Sequence, residues 1–233
     1  MRVLDVAQIS ARMVESLGLE RPPVAITFGI ERPPGVARPA SAVRSSCSFW
    51  RQAEGRVFYA SAEDHFNCPV GAMVMGLELP SEVSQHLSEM VNLMCGECYL
   101  SEEEAAKIPT VSKKGPGILY GDLAMFPAEP DVILMWLIPH QAMIYNEALG
   151  NANWAGELMR VSGRPGCAAL PRALERNQAG LSLGCAGMRM FTNVSDNDLL
   201  AVVPSDQAEG LVEALERTVN ANEAVLAYWQ HQE

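Results

Sequence analysis

The stretch DVILMWLI, residues 131–138, decides the fold. After Asp131 it is apolar without a break, and an unbroken apolar strand belongs at the centre of a sheet covered on both faces. Working outward, residues 139–149 read as a helix, and GILYGDL (117–123) reads as a second strand. Pro22-Pro23 introduce VAITFGI (24–30), a β-rich apolar run that reads as another buried strand. RVFYAS (56–61), MRMF (188–191) and LLAVVPS (199–205) complete the strand candidates.

Helices fill the intervals. Val3, Val6, Ile9, Ala11, Met13, Val14 and Leu17 recur at roughly helical spacing, and Gly18 follows as a stop. Further helices are expected at 45–54, from Cys68-Pro69 to about Leu79, from Pro80-Ser81 to about Leu93, at 168–179 and at 206–229. Proline suits a first helical position because its missing N–H would have no partner there. Ser101 and Glu104 fit a capping box, which puts Cys95-Gly-Glu-Cys98 in a loop between two helices. The pattern predicts an α/β or α+β protein. It is a single domain with a mixed sheet flanked by helices, carrying a helical, CGEC-containing insertion at about 80–110.

The 233 residues carry 17 Lys+Arg against 28 Asp+Glu, a formal charge of −11. A nucleic-acid partner is not expected, because phosphate neutralisation needs a basic face. Neither a signal-peptide core nor a membrane-length apolar run is visible, so a cytoplasmic location without membrane attachment is expected. Thiols in a reducing compartment serve as metal ligands, redox groups or small buried hydrophobes more often than as disulfides.

Four of the six cysteines have settings suited to thiolates. Cys68 directly precedes the Pro69 helix start, where free N–H groups favour an anion. Cys167 lies in SGRPGCAALPRAL and leads into a helix, and Cys185 is flanked by Gly184 and Gly187. Such glycines let backbone N–H donors approach a bound group closely. Cys47, in SSCSFWRQ, sits near a helix start beside Arg44 and Arg51. Only folding can bring these four together, and burial as plain structural thiols is the other reading of each. Cys95 and Cys98 have the C-x-x-C spacing of a metal or redox pair, but no second such pair accompanies them.

Among the histidines, His65 stands three residues before Cys68, as a metal ligand or a loop residue bonding locally. His140 follows the central strand, where residues often line pockets, and is a candidate for proton transfer. His86 and His231 read as surface positions. Dinucleotide, P-loop, serine-hydrolase and zinc-protease fingerprints are missing.

PPVAITF (22–28), SCSFWRQAEG (46–55), FNCPVGAMVMGLE (66–78), EPDVILMWLIPHQAM (129–143), SGRPGCA (162–168) and SLGCAGMR (182–189) resemble, in order, the prokaryotic "domain of unknown function 169" family. The resemblance covers most of the chain. It groups Cys47, Cys68, Cys167 and Cys185 as one set and leaves CGEC outside the shared pattern. With this set, the expected function is that of an iron–sulfur redox protein or enzyme. The four thiolates would hold a 4Fe-4S centre, with Gly184 and Gly187 close to it. Arg189, Arg164 and Arg51 are candidates to balance its charge or hold an anionic substrate, and Arg189 joins His140 as a candidate catalytic group. Expected partners are a small-molecule substrate or an electron-transfer protein, and a homodimer by general frequency alone. Zinc in a non-catalytic metal- or partner-binding module, and a metal-free CGEC dithiol, are the alternatives.

Overall fold

The computed structural model describes residues 5–150 and 161–231. In chain order the elements are α1 (Val6–Leu17), β1 (Val24–Phe28), α2 (Ser48–Gln52), β2 (Val57–Ser61), α3 (Pro69–Val74), α4 (Ser81–Gly96) and α5 (Glu102–Ala106). There follow β3 (Gly117–Asp122), β4 (Val132–Leu137), α6 (Pro139–Ala148), α7 (Ala169–Arg176), β5 (Gly180–Ser182), α8 (Ala186–Phe191), β6 (Leu199–Pro204) and α9 (Ala208–Gln230). Val3, read as part of the first helix, lies outside the described residues.

The strands form one six-stranded sheet in the order β2-β3-β1-β4-β6-β5. As its apolar run requires, β4 is central, and all six of its residues are buried. Every ladder between these strands is antiparallel. Among the described residues, parallel pairing is confined to the isolated bridges Ala37–Phe58 and Ser162–Ser182. The result is a single α+β domain, with helices on both faces of the sheet.

Side chains alternate across a strand, so each buried strand feeds two cores. Val132, Leu134 and Trp136 of β4 join Val24, Ile26, Phe28, Ile118, Tyr120 and Val202 on one face. Ile133, Met135 and Leu137 join Ala25, Leu119, Ala201 and Val203 on the other. The second face is covered by α1, α6 and α9, through residues such as Met13, Tyr145 and Leu215. The first is covered by α2, α3, α7 and α8, through Trp50, Ala72, Leu170 and Met188. Burying each large apolar side chain contributes roughly 1.5–3 kcal/mol, and the two cores fix the helix starts on the first face.

Several element ends follow from local chemistry. Asp5 accepts a hydrogen bond from the Gln8 N–H, and Gly18 closes α1 in the left-handed region at φ 60°. Bonds from Gly18 N to Glu15 O and from Leu19 N to Val14 O complete that turn. The Ser101–Glu104 capping box is present. α4 runs on past the expected end near Leu93, so Cys95 and Gly96 lie in its last turn and not in the loop, and Cys98 takes φ 56° just beyond it.

α3 and MRMF depart furthest from expectation. α3 stops at Val74 instead of reaching Leu79, because Gly76 turns the chain at φ 77°. A Cβ there would stand 2.3 Å from the Val111 carbonyl oxygen. MRMF is not a strand but the end of α8. Four residues cannot separate a helical from an alternating pattern, and the strand on this side is instead the three-residue β5.

Candidate functional site

Three of the four grouped cysteines occupy the same local position. Cys47, Cys68 and Cys185 immediately precede α2, α3 and α8, and none of their side chains caps its helix. Cys167 sits within the single 3-10 turn Gly166–Ala168 that leads into α7. All four line one cavity of about 740 Å³ on the first face of the sheet.

Two glycines bring the later pair together. An added Cβ at Gly166 would lie 3.1 Å from the Gly184 Cα and 3.4 Å from the Cys185 nitrogen. The loops bearing Cys167 and Cys185 therefore pack backbone to backbone. Bonds from Ser162 N to Leu181 O and from Leu183 N to Ser162 O tie the same two segments. Gly184, at φ 76°, also leaves room for the Met188 side chain. The earlier pair is joined through Gly71, whose added Cβ would meet Ser46 Oγ at 2.7 Å and Cys68 Sγ at 2.9 Å.

Burial and mutual proximity control the thiols. Cys47 is pushed up to about 12, first by burial and then by Cys68 and Cys185, while a hydrogen bond with Ser45 acts the other way. The Ser45 Oγ and Cys47 Sγ atoms are 2.8 Å apart. Burial, reinforced by Cys68, Cys47 and Cys185, holds Cys167 well above the usual thiol range. At neutral pH, Cys47 and Cys167 are therefore neutral thiols unless a bound cation displaces their protons. Among the described residues, no three His, Cys, Asp or Glu side chains are grouped as ligands of a metal ion.

α4 and the segment between it and β3 form the outer wall. Met90, Met94, Tyr99, Leu100 and Ile108 face the cysteine-bearing loops across the cavity. Arg164 lies over the Tyr99 ring at 4.6 Å, and its Nη2 is 3.7 Å from Glu104 Oε1. Arg44 and Arg164 are the charged residues of the lining, which contains no Asp or Glu among the described residues. Ser46 also lines it, and its buried hydroxyl has no hydrogen-bond partner.

The other sequence candidates are placed elsewhere. Gly187 is in the cavity wall, whereas Gly184 stands behind it as a packing residue. Arg189 is not in the wall, because its guanidinium donates to the carbonyls of Leu183, Ser195, Asp196 and Asp198. It braces the loops around α8. Arg51 pairs with Glu54. His140 is exposed on α6, a helix of the opposite face, and does not meet the cysteines. His65 is fully buried, with Nδ1 2.7 Å from Ser61 O and Nε2 3.0 Å from Tyr120 Oη. Burial holds it down to about 4, so the ring is neutral and structural. Cys95 and Cys98 lie outside the cavity lining.

Ser45, Ser46 and the α4 methionines were not singled out from the sequence. The serines adjoin Cys47 in RSSC, but nothing in that spacing distinguishes a cavity hydroxyl from an ordinary turn.

Fold and site together define an α+β protein with a four-cysteine pocket on one face of an antiparallel sheet. The DUF169 family model, described as "Uncharacterised ArCR", matches residues 12–214, and the chain belongs to that family. No curated protein and no solved structure matches it. Among the described residues, no helix is long and apolar enough to cross a membrane.

Proposed function

We propose that Cys47, Cys68, Cys167 and Cys185 hold an iron–sulfur cluster, a 4Fe-4S centre by thiolate count, in a metal-dependent redox protein or enzyme. The observation that carries this reading is the convergence of four thiols, from four separate segments, on one cavity. Metal binding is coupled to loss of the thiol protons, which the burial of Cys47 and Cys167 otherwise retains.

Zinc as a structural centre fits less well. With Zn–S bonds of about 2.3 Å, tetrahedral geometry draws sulfurs to within about 3.8 Å of one another. No ligand grouping of that kind exists among the described residues. A cluster places its own iron and sulfide between the cysteines and tolerates a wider ring.

When bound, the cluster supplies one-electron exchange, or Lewis acidity where one iron lacks a protein ligand. The chain's own groups account for the rest. The Ser45 hydroxyl is placed to donate to the Cys47 thiolate, Cys68 and Cys185 stand at helix starts whose first N–H groups have no intrahelical partner, and the two arginines offset negative charge. A small-molecule substrate or an electron-transfer protein would be the partner, in a reducing compartment such as the cytoplasm.

Anaerobic purification, iron and sulfide analysis and an absorption spectrum test this directly. The protein is expected to be brown, and Cys68→Ser and Cys185→Ser should each lose most of the iron. The Cys95→Ser/Cys98→Ser double variant should keep it. Full iron retention in both single variants refutes the ligand set, and a colourless protein carrying zinc supports the alternative.

A further inference from the structure

We propose that the cysteine cavity also binds an amphipathic anion, a carboxylate or phosphate ester on an apolar body, as the substrate of this site. The inference rests on the reading that this cavity is the working centre, and it names the chemistry of the second occupant.

Charge is the first argument. The chain has a formal charge of −11, yet the cavity lining carries Arg44 and Arg164 and no described carboxylate. Arg44 is exposed, and among the described residues no carboxylate pairs with it. Arg164 is held in place by the Tyr99 ring, while its 3.7 Å approach to the exposed Glu104 is too long for a hydrogen bond. Arg44 is thus available to an incoming anion, and Arg164 can exchange its loose, solvent-exposed ion pair with Glu104 for one; their planar forks suit carboxylate or phosphate oxygens.

Size and lining supply the second argument. A volume of about 740 Å³ lies within the usual range for small-molecule sites. Met90, Met94, Ile108 and Phe191 give the wall an apolar surface, and methionine adapts readily to a ligand's shape.

Ser46 is the third, independent observation. Its side chain is almost completely buried, lines the cavity and leaves its Oγ without a partner. Buried hydroxyls are rarely left unpaired in a folded protein. A polar group at the inner end of the ligand would complete it. The site therefore reads anion at the exposed arginines, apolar body against the methionines, and a hydroxyl or carbonyl at Ser46.

The test is isothermal titration of the anaerobically purified protein, with iron counted in each sample. Its probes are decanoate, decyl phosphate, decanol, decyltrimethylammonium and 10-hydroxydecanoate. At least one of decanoate and decyl phosphate is expected to bind tenfold or more tightly than decanol, and the tighter of the two identifies the head group. The ammonium probe should not bind. Arg44→Gln/Arg164→Gln, both at accessible positions, should abolish the preference for the anion. 10-Hydroxydecanoate should exceed decanoate in affinity, an advantage lost in Ser46→Ala. Equal binding of decanol and both anions, or an unchanged preference in the double arginine variant, overturns the inference. No advantage for the hydroxylated probe overturns the role of Ser46. Iron present without anion preference sinks this inference alone, whereas anion binding with no iron in any preparation sinks the cluster instead.

Discussion

Gly71→Ala separates a generic helix argument from the packing of this site. In an unobstructed helix, alanine in place of glycine gains about 0.5–1 kcal/mol. Gly71 is not unobstructed, because the new Cβ would lie 2.7 Å from Ser46 Oγ and 2.9 Å from both Ser46 Cβ and Cys68 Sγ. Rotation about the Ser46 side-chain bond relieves the first overlap but cannot move Cβ. Overpacking of this kind costs about 1–3 kcal/mol, so the net effect is a loss of about 0.5–2 kcal/mol. For a chain of this size that lowers Tm by roughly 1–8 °C. Gly96→Ala is the control, since its added Cβ meets nothing within 4 Å. Thermal unfolding by calorimetry, with iron content measured alongside, should show Gly71→Ala below the parent and Gly96→Ala at or above it. If Gly71→Ala melts as high as Gly96→Ala, the close contact of Ser46 and Cys68 across α3 does not exist.

Three other outcomes follow from particular side chains. His65 is buried neutral, its value moved from 6.5 to about 4, so the unfolded chain binds a proton that the folded one refuses. Its contribution is complete above about pH 6.5 and is lost as the pH falls toward 4. At about 1.4 kcal/mol per unit this amounts to roughly 3 kcal/mol, and denaturant titrations across that window should show a slope that His65→Gln reduces. Arg189→Ala should destabilise by about 1.5–3 kcal/mol, through the lost charged hydrogen bonds to four carbonyls. Arg189→Lys should restore only part of this, and an unchanged urea midpoint in the alanine variant would contradict the bracing role. In metal-free protein at pH 8, about one Cys47 side chain in ten thousand is ionised at a value of about 12. Iodoacetamide with mass-spectrometric readout should therefore mark exposed Cys98 first and Cys47 and Cys167 last.

Much of the architecture was legible because strong local signals agreed with their tertiary surroundings. The unbroken apolarity of β4, the left-handed Gly18 and the Ser101–Glu104 box each had one physical reading, and each is present. The direction of strand pairing was not legible, since it depends on how each connection returns to the sheet. α8 was missed because MRMF is too short to show a period. Four cysteines could be grouped from their helix-start and glycine settings, which the resemblance reinforced. Their shared cavity required coordinates. The outer wall was hidden for a different reason: no residue of α4 is fully buried, so Met90 and Met94 look like ordinary members of a surface helix. His140 and Arg189 show the opposite error. A strand-end histidine and an arginine four residues after Cys185 resemble site residues until the opposite face of the sheet and four backbone carbonyls claim them.

The cysteines adjoin the two edge strands, β2 between Cys47 and Cys68 and β5 between Cys167 and Cys185, and 99 positions separate Cys68 from Cys167. At translation rates of about 5–20 residues per second, the ribosome needs roughly 5–20 s to pass from the first pair to the second. Throughout that interval the nascent chain exposes two sulfurs of an incomplete set. Assembly of the whole pocket consequently waits for the second pair to be synthesised, and a truncated product ending before Cys167 would have only half of its cysteines.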